Sequence, residues 1–346
     1  MANVWIITRH IDDAKASTIN VDDLLITDAR TYEIMMVKSG LDKLGANASF
    51  IKISDLTPER IKNMKSVLPD IAIVRCNMWD SELETKILEE LEYQGVLVIN
   101  SSKSHFICND KLLQHDHLNC FGVRTPKSMM LPRNVDIELL PAIEEFLGLP
   151  IVIKPRIGTS GILTVKCVNQ DQIKNAWAEI ANHHFYKNAL AQKWIDHEPN
   201  GIINALVIGG EIISCFQRVP NTKIDFWNTG AIVFDQLSQL SEDKKIKTVK
   251  EKIAASNPNK DLFDARRSRP QNDLRDEYPI SDELKLICKA ACDAIYDIDI
   301  VRIDLMKDND GYMICEVNSP AGYPAHDIFM GKDCGLLIAK YALEKL

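Results

Sequence analysis

A mixed α/β fold of two or three packed domains follows from three features of this sequence. The first hundred residues alternate short apolar runs with amphipathic helical patterns, as an open α/β sheet does. Far downstream, Val301-Arg302-Ile303-Asp304-Leu305-Met306 and Met313-Ile314-Cys315-Glu316-Val317-Asn318-Ser319-Pro320 alternate apolar and polar residues with period two. Asp310-Gly311 between them carries a hairpin signal. The length, 346 residues, is enough for two or three hydrophobic cores.

Residues 4–8 read as the first strand, and residues 32–44 as an amphipathic helix that Gly45 ends. Strands follow at 48–53 and 71–74, with a helix at 58–67 between them. Thr57 is placed to cap that helix, and Pro58 suits its first turn. A helix at 81–93 and a strand at 96–99 complete an N-terminal α/β domain, residues 1–100. Arg75 and Asn77 lie just past a strand end, where open sheets commonly bind ligands. Both are candidate substrate contacts, although a loop arginine in a surface ion pair reads the same way.

A middle α/β domain covers residues 101–190 and opens on the helix-cap cluster Asn100-Ser101-Ser102. Arg124-Thr125-Pro126 turns the chain into its next strand. A strand at 149–155 ends in Lys154-Pro155, and a small-residue loop leads on to a second strand at 162–165. The third domain, residues 191–346, supplies long strands at 202–208 and 211–219 and then the hairpin. Inside it lies a polar insert at 236–280, with a helix at 242–255 followed by a long aperiodic loop. Arg266, Arg267 and Arg269 in that loop could clamp an anion or simply face solvent.

Chemistry concentrates at two places. When the hairpin folds, Asp304, Glu316 and Asn318 can face one point, since Glu316 and Asn318 are two apart on one strand. Two carboxylates and an amide oxygen make a hard-oxygen site suited to Mg²⁺, a cation that also keeps phosphate oxygens in its shell. That suggests an ATP site, while a solvated acidic face would give the same pattern. The loop Gly158-Thr159-Ser160-Gly161 can bring successive backbone N–H groups to an anion. Lys154 adds a point charge within reach of the same phosphates. No Gly-Lys-Ser/Thr follows and no G-x-G-x-x-G occurs, so this is neither a P-loop nor a Rossmann dinucleotide site.

These motifs resemble an ATP-grasp enzyme. Lys154-Pro155, then Gly158-Thr159-Ser160-Gly161, then Ala191-Gln192-Lys193-Trp194-Ile195, then Arg302-x-Asp304 and Glu316-x-Asn318-x-Pro320 stand in that family's order. The RimK-type amino-acid and peptide ligases look like the nearest branch, with D-alanine ligase and glutathione synthetase as relatives. The likeness runs from residue 95 to residue 330, with a gap at 235–280. It implies a pre-ATP-grasp α/β domain, then central and C-terminal α+β domains.

The resemblance also implies roles. Lys111 matches the family's first ATP lysine and Lys154 the second, and residues 158–161 match the loop over the phosphates. Gln192, Lys193, Trp194 and Ile195 match the hinge whose backbone holds adenine, and His197 or Glu198 falls where ribose is bound. Arg218 matches an arginine near the γ-phosphate, and Asn228 lies near an asparagine of the acceptor region. Arg302 matches the D-alanine ligase arginine that stabilises the tetrahedral intermediate, and Asp304, Glu316 and Asn318 match the metal ligands. Ile202 and Asn204 stand where the RimK branch has an acid and an arginine, and the acceptor segment is shortened to residues 225–230. The substrates are therefore expected to differ.

Activity and cofactors follow from that likeness. The expected reaction is ATP-dependent ligation of a carboxylate to an amine through an acyl-phosphate, with two Mg²⁺ ions, or Mn²⁺ in their place. A small-molecule kinase on the same scaffold is the alternative, and a nucleotide binder without turnover a third reading. His326 follows the metal motif and could face the acceptor amine. Cys288 and Cys292 are one helical turn apart and read as core rather than metal ligands.

Composition limits the partners. Hydrophobic residues make up 46% and charged residues 26%, ordinary for a globular protein. A net charge of −8 argues against nucleic acid or an anionic membrane as partner. No run reaches the roughly 18 apolar residues that span a bilayer. The first ten residues lack the pattern of a signal peptide. Nine cysteines with no C-x-x-C pair point to reduced, buried thiols and a cytoplasmic setting. A homo-oligomer is the expectation by analogy alone.

Overall fold

A computed structural model describes residues 1–18, 29–77, 81–158, 163–183, 186, 188–196, 201–220 and 273–346. Three sheets organise the chain. The first is parallel, in the order β2-β1-β3-β4, from β1 (Asn3–Thr8), β2 (Asn47–Lys52), β3 (Ile71–Val74) and β4 (Leu97–Ile99). Helices cover both faces, which is why β1 and β3 read as unbroken apolar runs. Thr57 does cap its helix, accepting from the Arg60 N–H, with Pro58 in the first turn. That helix, Pro58–Asn63, gives way at Met64 to a 3₁₀ turn, Lys65–Val67.

One face of this sheet has its own core around Trp5, Ile7, Ile61, Leu88 and Leu91. The opposite face, with Val4, Ile6, Ile34 and Leu41, shares a core with Leu206, Ile208, Ile300 and Ile338 from the last third of the chain. The joint is close where helix Ala29–Lys43 crosses helix Cys334–Glu344. A Cβ on Gly335 would stand 2.5 Å from the Met36 carbonyl carbon and oxygen, so only glycine fits there.

The second sheet is antiparallel, in the order β5-β8-β6-β7, from β5 (Ser128–Leu131), β6 (Ile151–Pro155), β7 (Val165–Cys167) and β8 (Ala189–Lys193). Helices Leu140–Leu147 and Gln170–Asn182 pack on it around Trp177, whose Nε1–H donates to the Pro132 carbonyl at 2.8 Å. β8 runs across the expected division at 190/191, because it pairs between β5 and β6. β7 begins at Val165, later than the expected strand at 162–165.

The third sheet is antiparallel, in the order β11-β10-β9-β12-β13, from β9 (Ile202–Ile208), β10 (Glu211–Pro220), β11 (Asp273–Glu277), β12 (Ile300–Asp308) and β13 (Gly311–Asn318). β11 corrects the reading of 236–280 as lacking strands: Asp-Leu-Arg-Asp-Glu pairs along the free edge of β10. Charged edge strands are common because they discourage further pairing. The expected helix at 242–255 and Arg266, Arg267 and Arg269 lie outside the described residues. Helix Asp282–Ala294 packs on this sheet together with Ile107, Cys108 and Leu118. Helices Ser102–Asn109 and Lys111–Cys120, expected in the middle domain, thus belong to the C-terminal core. Among the described residues, no helix is long and apolar enough to cross a membrane.

Candidate nucleotide and metal site

The hairpin pairs Arg302 with Asn318 and Asp304 with Glu316 across β12 and β13. Val301, Ile303 and Leu305 point into the core, which leaves Arg302 and Asp304 on the other, half-buried face. Past Asp304 the register slips, so that Leu305 pairs with Ile314 and Cys315 bulges. Asp304 is wrapped by donors. Its two oxygens accept from the Arg302 guanidinium at 3.3 Å, and Oδ2 also accepts from Asn318 Nδ2 at 3.3 Å. Asn204, opposite it on β9, donates its Nδ2 to Oδ1.

Asn204 is 4% exposed, and its Oδ1 has no hydrogen-bond partner among the described residues. A buried carbonyl-type oxygen left in this state is costly and therefore informative. In the sequence Asn204 stood out only as a departure from the family; its signal was one polar residue in the apolar run Ile-Ile-Asn-Ala-Leu-Val-Ile.

Two lysines reach the same place from different parts of the fold. Lys111 opens its helix with Nζ 3.2 Å from Glu316 Oε1, and also donates to the Gly158 carbonyl. Lys154, on β6, donates from Nζ to Gln192 Oε1 at 3.0 Å. Burial pushes Lys154 down to about 8; Lys111 adds to the shift and Glu316 opposes it. For Glu316, burial alone would raise the pKa, but Lys111, Lys154 and Arg302 outweigh it and hold the carboxyl below its ordinary value. Arg302 shows the converse: desolvation works against its charge, and Asp304 and Glu316 hold it above the ordinary value.

Beneath the lysines lies a polar layer. His115 Nε2 meets the Cys315 carbonyl at 2.9 Å, which places the proton on Nε2, since a carbonyl only accepts. Gln192 Nε2 donates to Ser128 Oγ at 3.0 Å, and the same hydroxyl lies 3.2 Å from His115 Nδ1. Burial, with Lys154 second, lowers His115 to about 4, so the ring is neutral.

The lysine helix is fixed at both ends of its first turns. Gln114 exchanges two hydrogen bonds with the backbone of Val317, at 2.7 and 2.8 Å, beside Glu316. Asp110 caps the helix, accepting from Leu112 and Leu113 N–H at 3.1 and 3.2 Å. The same carboxylate takes Arg156 Nε at 2.7 and 2.8 Å and Arg156 Nη2 at 2.6 Å. Lys111 N–H donates to the Arg156 carbonyl at 3.1 Å, and Asp110 bridges to Ile157. Neither Asp110 nor Arg156 had stood out in the sequence.

The other expected residues fall as follows. Gln192 is buried with its amide in the polar layer, while the Lys193 side chain is exposed. Backbone N–H groups of Lys193 and Trp194 donate to Lys127 and Pro150 carbonyls at 2.8 and 3.1 Å, and Ile195 follows the end of β8. Lys166 stands 3.9 Å over the Trp194 ring. Gly158 has φ +156°, and an added Cβ would meet the Tyr186 ring at 3.0 Å. Arg218 lies on β10, in register with Ile202 and Arg275. Thr159, Ser160, Gly161, His197, Glu198 and Asn228 lie outside the described residues.

Two expected contacts lie in buried surroundings. Arg75 is 1% exposed, donates to Glu33 at 2.8 Å and the Ala321 carbonyl at 2.7 Å, and stacks over Tyr323. It holds the segment after β13 rather than an open substrate face. His326 is fully buried, bonded to Ser214 and packed on Phe216, and so does not face an open cleft. Glu33 is the residue missed here: a Cβ on Gly322 would lie 3.0 Å from Arg302 Nη1 and 3.4 Å from Glu33 Oε1. The N-terminal domain thus reaches the edge of the hairpin site.

The donor set can be tested against a cation. Among the described residues, no three His, Cys, Asp or Glu side chains gather to hold a metal. Here the set is two carboxylates and the Asn318 amide, with Asn204 bonded to Asp304 beside them; hard oxygen donors of this kind suit a divalent cation that keeps other ligands.

Residues 108–268 match the model of the RimK-like ATP-grasp domain. The chain is 22% identical over 309 residues to the coenzyme gamma-F420-2:alpha-L-glutamate ligase of Methanocaldococcus jannaschii, covering 86% of this chain and 90% of that one. It is 28% identical over 228 residues to the glutamate–LysW ligase ArgX of Sulfolobus acidocaldarius, covering 64% and 76%. The D-alanine–D-alanine ligase of Bacillus anthracis shares the fold, with a TM-score of 0.64, 14% identity and coverage of 99% and 97%. Residues 108–268 are thus similar to a RimK-like ATP-grasp domain, and the chain is built on the ATP-grasp fold.

Proposed function

We infer that the protein is an ATP-dependent ligase that joins a carboxylate to an amine, forming an amide and releasing ADP and phosphate. The observation that carries this is the convergence of Lys111, Lys154 and Arg302 on Glu316 and Asp304 within a RimK-like ATP-grasp chain. A carboxylate is a poor acylating agent. Moving the γ-phosphate of ATP onto it gives an acyl-phosphate, whose leaving group is phosphate. The amine then attacks the carbonyl carbon, the carbon–nitrogen bond forms as the carbon–oxygen bond breaks, and the nitrogen gives up a proton.

Both steps bring anions together, so positive charge must stand ready in place. Lys111 and Lys154 fit the phosphates, and the glycine loop 158–161 is assigned to the same ligand. Gln192, Lys193, Trp194 and Ile195 fit adenine, and Glu198 or His197 the ribose. Arg218 fits the transferred phosphate, and Arg302 the oxyanion formed as the amine adds. Asp304, Glu316 and Asn318 are the residues that would hold Mg²⁺, as two ions in our reading. Bound there, Mg²⁺ supplies charge that neutralises phosphate oxygens. Two of the relatives are named as glutamate ligases, which favours an amino acid or peptide as a substrate here. Asn228 fits the acceptor side.

The test is a screen of carboxylate and amine pairs that measures ADP and phosphate separately. A ligase releases both, and only when both substrates are present. ADP without phosphate, given a single hydroxyl acceptor, would make the protein a kinase instead.

A further inference from the structure

Lys111 and Lys154 rest on different foundations. The Lys111 helix is riveted to β13 by the paired Gln114–Val317 hydrogen bonds, and its Leu118 sits in the C-terminal core. Lys154 sits on β6, whose neighbours Ile151 and Ile153 belong to the separate core around Trp177. Two cores can shift against one another unless something ties them. Asp110 and Arg156 do this within one residue of the first lysine and two of the second. The contact is a planar fork with three N···O distances from 2.6 to 2.8 Å, part-buried, on a carboxylate already fixed by capping. The backbone repeats the tie through the Lys111 N–H and the Asp110–Ile157 bridge.

We propose that Asp110 and Arg156 form a positioning clamp that sets the spacing between Lys111 and Lys154, and through it the affinity for the nucleotide phosphates. Neither side chain touches ATP in this scheme. The inference rests on the assignment of the two lysines to the phosphates, and the experiment separates the two ideas.

Mg-ATP affinity is measured by calorimetry for the full chain, Asp110→Asn, Arg156→Gln and the double variant. Asparagine keeps the helix cap but loses the charge. Each single change should weaken binding about tenfold or more, the equivalent of one lost charge-assisted hydrogen bond. The double variant should bind no worse than the poorer single, since both changes break one contact. Thr57→Ala is the control: it removes a remote helix cap and lowers stability, and should leave affinity within about twofold. Should Arg156→Gln fail to fold, Arg156→Lys keeps the charge without the fork and should still weaken binding.

Folded single variants that bind Mg-ATP within about twofold of the parent overturn the clamp, as do losses that multiply in the double variant. Lys154→Met separates the layers. If it leaves affinity intact, the phosphate site itself is wrong. If it weakens binding while the clamp variants do not, only the clamp falls.

Discussion

Lys154→Met should make the ligand-free protein more stable and at the same time unable to hold ATP. Lys154 is 9% exposed, and burial takes its pKa from 10.5 to about 8. That gap means that keeping the lysine charged costs about 3 kcal/mol below pH 8. Methionine removes that cost but leaves Gln192 Oε1 without its donor, a loss of about 1–3 kcal/mol. The difference leaves a net gain on the order of 1 kcal/mol at neutral pH. The pH profile is the sharper measurement. Between pH 8 and 10.5 the unfolded lysine holds a proton that the folded one has released, so the parent gains stability as pH rises through this window. The gain is complete above 10.5 and is lost as pH falls through 8. The variant has no such group, so its urea-unfolding free energy should rise less across the window, by about 3 kcal/mol. Parallel profiles for the two proteins would refute the desolvation argument.

Three further expectations follow from particular contacts. Glu316→Gln strips the main counter-charge from Lys111 and Lys154 and a ligand from the metal set, so ADP formation should vanish while far-ultraviolet circular dichroism stays as in the parent; normal turnover would remove Glu316 from the site. Gly335→Ala puts a methyl group 2.5 Å from the Met36 backbone, and overpacking of this kind costs about 1–3 kcal/mol, read as a lower melting temperature; an unchanged one would show that the helix pair is looser than described. His105 and His115 are buried and neutral, each lowered by burial from 6.5 to about 4. The stability from keeping them neutral is fully present above pH 6.5 and is lost as pH falls through 4, by about 3 kcal/mol each. A His105→Gln/His115→Gln variant should therefore lose stability less steeply than the parent in urea titrations over that range, and equal slopes would contradict the assignment.

Local chemistry was legible in the sequence, and assembly between distant segments was not. Period-two alternation around Asp310-Gly311 specified the hairpin and put Asp304 across from Glu316. Thr57 and Ser101 announced their helices because a cap is a contact over three residues. The Cys315 bulge left no trace, since one extra residue in a strand changes no composition. β11 hid because an edge strand of Asp-Leu-Arg-Asp-Glu has the polarity of a loop. The packing of helices Ser102–Asn109 and Lys111–Cys120 on the C-terminal core was hidden for a related reason: an amphipathic pattern says that one face is buried, not against what. Arg75 looked available because it follows a strand end. Its real partners, Glu33 and Ala321, lie 42 and 246 residues away in the chain.

Separation in sequence also explains how the charge of this site is tolerated. Lys111, Lys154 and Arg302 come from a capped helix and two different sheets, and the carboxylates of Glu316 and Asp304 face each other across one hairpin. Both lysines are buried, and each backbone is held by bonds that would survive loss of the side chain: Lys111 by the Asp110 cap, Lys154 by strand pairing with Leu190 of β8. Stability is therefore supplied by the scaffold and spent at the charged centre. Of these three cations, Lys154 is one that a chain which merely needed to fold would gain by losing. Their presence in one place, beside an oxygen on Asn204 that no described residue satisfies, makes sense when an anionic ligand and a cation complete the balance.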